Sequence, residues 1–187
     1  GKARLNFPGP ISLLLYNQSE MDNIKLEFEN GSNPRITNRL IRGGFSGYVE
    51  PGNQLTIDLA FGVQVNVLGT SFFVLSDDEN GFVTVGKFDG TLSVSVPGQD
   101  IFYLKDQELI DITDDGKLVR YSPIPFTLAQ FDNAADSCLS SIQGVNILRR
   151  DNKLPQPGTD TFHENTELPC KPLSASPVTP ETMACLT

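Results

Sequence analysis

The amino-acid sequence predicts an all-β fold, an antiparallel sandwich or strand-stacked domain, with a short helix and an extended proline-rich tail behind it. Three observations carry that expectation. Apolar residues recur at every second position through much of residues 1–122. Glycine-containing turn dipeptides separate the runs. Near Ser122 the pattern gives way to proline, then to helix-forming residues.

The strands come first. Ile11–Tyr16 is an apolar stretch, and Ile24, Leu26 and Phe28 alternate with Lys25 and Glu27. Leu55, Ile57 and Leu59 alternate with Thr56 and Asp58, and Val63, Val65 and Val67 with Gln64 and Asn66. Val83 and Val85 repeat the pattern, as do Leu92, Val94 and Val96 around Ser93 and Ser95. Successive strand side chains point to opposite faces, so this period puts one face in a core and the other in water. Asn30-Gly31, Pro51-Gly52, Asn80-Gly81, Asp89-Gly90, Pro97-Gly98 and Asp115-Gly116 mark the turns. Asn-Gly and Asp-Gly suit hairpins that need positive φ at both central residues. About eleven short strands are expected from such spacing.

Residues 123–187 form the second part. Pro123 and Pro125 stop the last strand. Leu128–Ile142 reads as one short helix ending before Gly144, with Asp132 or Asn133 as an alternative cap. Phe131, Ala134, Ala135, Cys138, Leu139 and Ile142 fall on one of its faces. From Asp151 onward Pro155, Pro157, Pro169, Pro172, Pro177 and Pro180 leave no room for regular structure. That tail either wraps the sheet or links to a further part. The expected organisation is a β domain over 1–122 with residues 123–187 packed on it.

Composition narrows the function. The chain has 187 residues, 23 acidic and 14 basic, for a formal charge of −9. A pI near 4.5 argues against a nucleic-acid or anionic-lipid surface. No apolar run approaches the roughly 20 residues of a membrane helix, so no membrane insertion is expected. Without a charged-then-apolar leader, the chain reads as soluble and mature, or as cut from a larger protein.

Catalytic inventory is thin: one histidine and no tryptophan. A Ser–His–Asp arrangement would need His163, which stands in the proline-rich segment, and no GxSxG elbow exists. Asp77, Asp78 and Glu79, and again Asp111, Asp114 and Asp115, precede turns and read as solvated hairpin tips, with calcium as the alternative. Phe45, Tyr48 and Phe61 could serve a carbohydrate-directed sandwich but read mostly as core. Neither an enzyme nor a cofactor is expected.

Cys138, Cys170 and Cys185 lack zinc-site spacing. One disulfide, joining Cys170 to Cys138 or Cys185, fits an extracytoplasmic protein, and three reduced packing cysteines are the alternative. Arg35, Arg39 and Arg42, with Lys25, form a modest basic patch on an outer or edge face, a candidate surface for an acidic partner. The apolar N-terminal stretch, with Phe7, Ile11, Leu13, Leu14 and Leu15, is a candidate for completing a neighbour's sheet, in a homo-oligomer or a filament.

One segment is more specific. Val65-Asn66-Val67-Leu68-Gly69-Thr70-Ser71-Phe72-Phe73-Val74 resembles the V-x-V-x-G-T-x-F-x-V signature of FecR-type domains. Val83-Thr84-Val85 and Phe88-Asp89-Gly90-Thr91-Leu92-Ser93-Val94 resemble that family's next hairpin, and Leu104–Glu108 its L-x-x-G-E/Q turn, with Asp106 where a glycine is usual. Asp115-Gly116-Lys117-Leu118 is similar to its closing turn. The resemblance covers roughly residues 40–121 and gives Val65, Val67, Gly69, Thr70, Phe72, Val74, Gly90 and Leu104 structural roles. It implies an extracytoplasmic, non-enzymatic protein-binding or assembly module. The alternative that it implies is a periplasmic domain that regulates a sigma factor. Gly69 physically suits a bend between two strands.

Overall fold

The structure, a computed structural model, describes residues 2–7, 9–27, 35–138, 140–155 and 157. The fold is all-β with two short helices. Ten strands lie among the described residues: β1 (Ala3–Phe7), β2 (Ile11–Leu15), β3 (Glu20–Glu27), β4 (Arg35–Asp58), β5 (Gln64–Asp77), β6 (Phe82–Lys87), β7 (Thr91–Ser95), β8 (Phe102–Tyr103), β9 (Glu108–Thr113) and β10 (Leu118–Tyr121). The helices are α1 (Leu128–Ser137) and α2 (Ser141–Asp151).

All pairings are antiparallel, and two long strands organise them. The first part of β4 pairs with β3, its middle lies between β2 and β5, and its end pairs with the start of β5. The start of β5 lies between β4 and β7, and its end lies between β4 and β6. β9 and β10 continue beyond β6, β8 beyond β7, and β1 beyond β2. The β4–β5 register slips between Val49 and Gln54. Opposite that slip Gly69 adopts φ +58. A Cβ there would sit 3.0 Å from the Pro51 backbone, so glycine relieves both the dihedral and the close approach.

The bend folds one sheet over a single core. Leu55, Ile57, Val65, Val67, Leu92 and Val94 come from one side of it. Leu13, Phe45, Phe72, Val74, Val85 and Ile110 come from the other. The predicted alternation thus places its apolar set inward on β4–β7, but not on β3, where Ile24 (47%) and Leu26 (39%) are exposed; Phe28 lies outside the described residues.

The opposite face is covered only in part. Phe73, Leu75 and Leu109 turn away from the first core and form a second with Phe126, Phe131, Ala135 and Val145. The Phe73 and Phe131 rings stack with centroids 4.0 Å apart. Gly86 makes room, since a Cβ there would fall 2.1 Å from the Phe73 ring. All six residues of β6 are buried.

The expected single helix is two. Cys138 is extended at φ −112 and ψ 168 and breaks it. Thr127, rather than Asp132 or Asn133, caps α1 in a reciprocal box with Gln130. Gly144 does not end a helix but lies inside α2. A Cβ there would be 1.9 Å from the Ala134 carbonyl oxygen, so glycine lets the two helices approach closely. Asn17 holds the junction: its Nδ2 donates to the Cys138 carbonyl at 2.9 Å and its carbonyl accepts from Ser141 N at 3.3 Å.

Candidate functional site

The motif residues build the corner where β5 crosses between the layers. Val65, Val67, Phe72 and Val74 are fully buried in the first core. Thr70 is buried, and its hydroxyl donates to the carbonyls of Asp89 (2.9 Å) and Thr91 (3.1 Å). Ser71 N donates to Asp89 Oδ1 at 2.7 Å, and Phe88 N to the Ser71 carbonyl at 2.9 Å. Gly90 has φ +75 and lies so near Gly69 that a Cβ would stand 1.9 Å from the Gly69 carbonyl oxygen. The β6–β7 turn is thereby locked onto the bend.

Leu104 is buried and begins a second lock. The buried Lys87 Nζ donates to the Leu104 carbonyl at 2.9 Å and pairs with Asp106 at 2.9 Å. Glu108 accepts from Lys105 N at 2.8 Å and pairs with Arg120 at 3.0 Å. The glycine-favouring conformation falls at Gln107, with φ +57, and not at Asp106.

Several predicted surfaces are elsewhere. Ile11 and Leu13 are buried in the first core, and Leu15 packs against it. β2 is flanked by β1 and β4, so it has no free edge for a neighbouring strand. Arg35 and Arg39 are exposed on β4, and Arg42 is at its outer face. An acid stands opposite each: Glu27, Asp22 and Glu20 in the same order. Among the described residues of this ribbon, Arg42 and Glu20 reach ion-pair distance, at 3.3 Å. These acids weaken its attraction for an acidic partner.

The acidic turns divide. Asp78, Glu79, Asp114 and Asp115 are exposed as expected. Asp77 is buried and accepts from Asn80 N and Nδ2 at 3.1 and 2.7 Å. Hydrogen bonds from Thr113 and the Lys117 amide hold the Asp115 carboxyl below its ordinary range. Asp111 is not in a solvated turn at all. Among the described residues no group of three or more His, Cys, Asp and Glu could hold a metal ion. His163, Cys170 and Cys185 lie outside the described residues, and with them the pairing of the cysteines. Cys138 is buried between the helices. Phe45 is core and Phe61 packs against it, as expected for most of these aromatics, while Tyr48 is 46% exposed.

Two buried polar clusters lie away from the motif residues. Asp111 accepts from Arg149 Nη1 at 3.0 Å, from Arg149 Nη2 at 2.5 Å and from Thr84 Oγ1 at 2.7 Å. Arg149 also donates from Nε and Nη2 to the Pro155 carbonyl at 3.0 and 2.8 Å. Burial pushes the Asp111 carboxyl up, while the charge and hydrogen bonds of Arg149 and the Thr84 hydroxyl pull it back. In the second cluster Tyr16 Oη donates to Asp132, and Ser46 Oγ donates to the same oxygen at 2.8 Å. Burial first, then the Asp132 hydrogen bond, pushes the Tyr16 phenol up and keeps it protonated. Both clusters pin helix to sheet.

Two surfaces remain open. A cleft of about 510 Å³ lies between the corner and the start of α1, floored by Phe88, Ile124, Phe126 and Leu128 and rimmed by Asp89 and Gln107. The other is the outer face of β5's first half, β7 and β8. Its edge exposes Ile101 (61%) and Tyr103 (65%), with Leu68 (44%) farther in.

Among solved structures, this fold is similar to two crystal structures of a protein from Parabacteroides distasonis ATCC 8503 named a "putative anti-sigma factor". TM-scores are 0.53 and 0.54, with 19% identity in each. The match covers 65% of this chain and 55% of that one, so the chain spans about half the length of the structures it matches. The likeness is one of fold. No family model and no curated protein matches the sequence. No helix among the described residues is long and apolar enough to cross a membrane.

Proposed function

We propose that the chain is a non-enzymatic, extracytoplasmic regulatory domain that acts through protein contacts in sigma-factor signalling. The single supporting observation is the fold shared with the Parabacteroides protein. The sequence stretch that resembles FecR-type domains, whose best-known members serve that kind of signalling, agrees with this reading. This reading displaces assembly as the leading one: the apolar N-terminal residues that suggested self-association, Ile11 and Leu13, lie in the core. The buried polar clusters act as struts and offer no accessible nucleophile.

The test is transcriptional. In the organism that encodes the chain, removing residues 1–157 in frame is expected to change the transcripts of one sigma-factor-dependent gene set. An unchanged transcript profile, with the protein confirmed present in the parent, overturns the reading. A fused alkaline phosphatase, active only outside the cytoplasm, checks the location in the same strain.

A further inference from the structure

The outer face of β5's first half, β7 and β8 is a lattice of uncharged polar groups. The registers align Thr56 on β4 with Asn66 on β5, Ser93 on β7 and Tyr103 on β8. The flanking rows read Gln54, Leu68, Thr91 and Asp58, Gln64, Ser95. Rows repeat at about 6.8 Å and strands at about 4.8 Å. The one carboxylate, Asp58, accepts from Gln64 Nε2 at 2.9 Å. Thr56 is buried and donates to Asn66 Oδ1 at 2.9 Å, which orients the half-buried Asn66 amide in this row.

The lack of charge is local. The formal charge of the chain is −9, and β3 with the start of β4 carries Glu20, Asp22, Lys25, Glu27, Arg35, Arg39 and Arg42. Exposed edges are ordinarily guarded by such charges. Here the edge strand β8 presents Tyr103 and is preceded by Ile101. On β5, β7 and β8 this face carries no charge, its one carboxylate being Asp58 on β4, and such a surface selects against ionic partners, because it offers nothing to offset their desolvation. It is also too sparse in apolar side chains for the core of a stable protein interface. Hydroxyls and amides in flat rows, beside one exposed tyrosine ring, complement an uncharged chain of sugar rings. Such a chain has hydroxyls along its edges and C–H groups on its faces, and a tyrosine ring can stack on the latter.

We propose that this face binds a neutral β-linked glycan strand laid across β5, β7 and β8, with Tyr103 as the stacking platform and Asn66 and Ser93 as hydrogen-bonding groups. The inference is independent of the regulatory reading.

Affinity electrophoresis of the full chain in gels containing hydroxyethylcellulose or glycol chitin tests it. The expected result is retardation by at least one of these polymers, insensitive to salt. Tyr103→Ala is expected to weaken it about three- to tenfold. Tyr103 is largely exposed, so that variant keeps the fold, which circular dichroism verifies. Ser93→Val supplies a second, conservative perturbation and is also expected to weaken retardation. Absence of retardation by both polymers, retardation abolished by salt, or full retardation of both variants overturns the proposal. The transcript experiment above fails or succeeds separately.

Discussion

The two halves of β5 differ in apolar pattern and meet different surroundings. In Gln64–Leu68 the inward residues are Val65 and Val67, and the outward ones face solvent. In Phe72–Asp77 the inward Phe72 and Val74 join that same core, but the outward Phe73 and Leu75 enter a second one beneath the helices. The difference teaches that alternation identifies which residues share a face; it does not reveal whether the other face is covered. A continuous apolar run, Phe72-Phe73-Val74-Leu75, is the mark of a strand buried on both sides.

The largest expected effect breaks the covered half. Phe73→Ala should cost about 3–5 kcal/mol, because it removes a buried ring from a stack that has little room to collapse. Leu68→Thr on the open half, at a side chain that is 44% exposed, should stay within about 0.5 kcal/mol. Denaturant unfolding of the two variants measures the contrast, and equal losses would show that the halves are not distinct.

Arg149→Met comes next. It strands the buried Asp111 carboxylate, and the expected loss is about 3–5 kcal/mol. Adding Asp111→Leu should restore much of it, since two apolar groups need no partners. A double variant no more stable than the single one would mean that the contact with Pro155 carries the effect. Thr127→Ala is a smaller cut, about 1 kcal/mol, through the lost cap of α1. Its loss of helical circular dichroism near the midpoint distinguishes fraying of α1 from core damage.

The smallest effect lies in an exposed turn. The Asp115 carboxyl should titrate below the ordinary aspartate value of 3.8 in an NMR pH series. Being lowered on folding, it contributes stability above the ordinary carboxylate value and loses it as pH falls through the folded one. Thr113→Val should move the midpoint back toward 3.8. An unmoved midpoint would remove the Thr113 hydroxyl as the cause.

The β architecture and the bend at Gly69 were legible because both are written locally: a two-residue period, turn dipeptides, and a glycine inside a valine run. The helix layer was less so. Thr127 and Gln130 already formed a capping signature, but Gly144 looked like a stop when its role is close approach between helices. Asp111 sat next to Asp114, Asp115 and a turn, and that neighbourhood suggested solvent. Its position between Ile110 and Ile112 was the better clue, yet its partner Arg149 is 38 residues away and no local pattern links them. Ile11 and Leu13 looked adhesive in isolation because a strand's flanking partners are a tertiary fact. The neutral face was visible as Asn66, Ser93 and Ser95, but only the register makes these residues a surface.

One consequence follows from β4. A single 24-residue strand contributes to the charged ribbon, to the wide middle of the sheet and to the layer beneath the neutral face. Peeling away any one of these regions pulls on a backbone that the other two still hold. Slow amide protons from all three regions are therefore expected to exchange with one common opening free energy, as one cooperative unit.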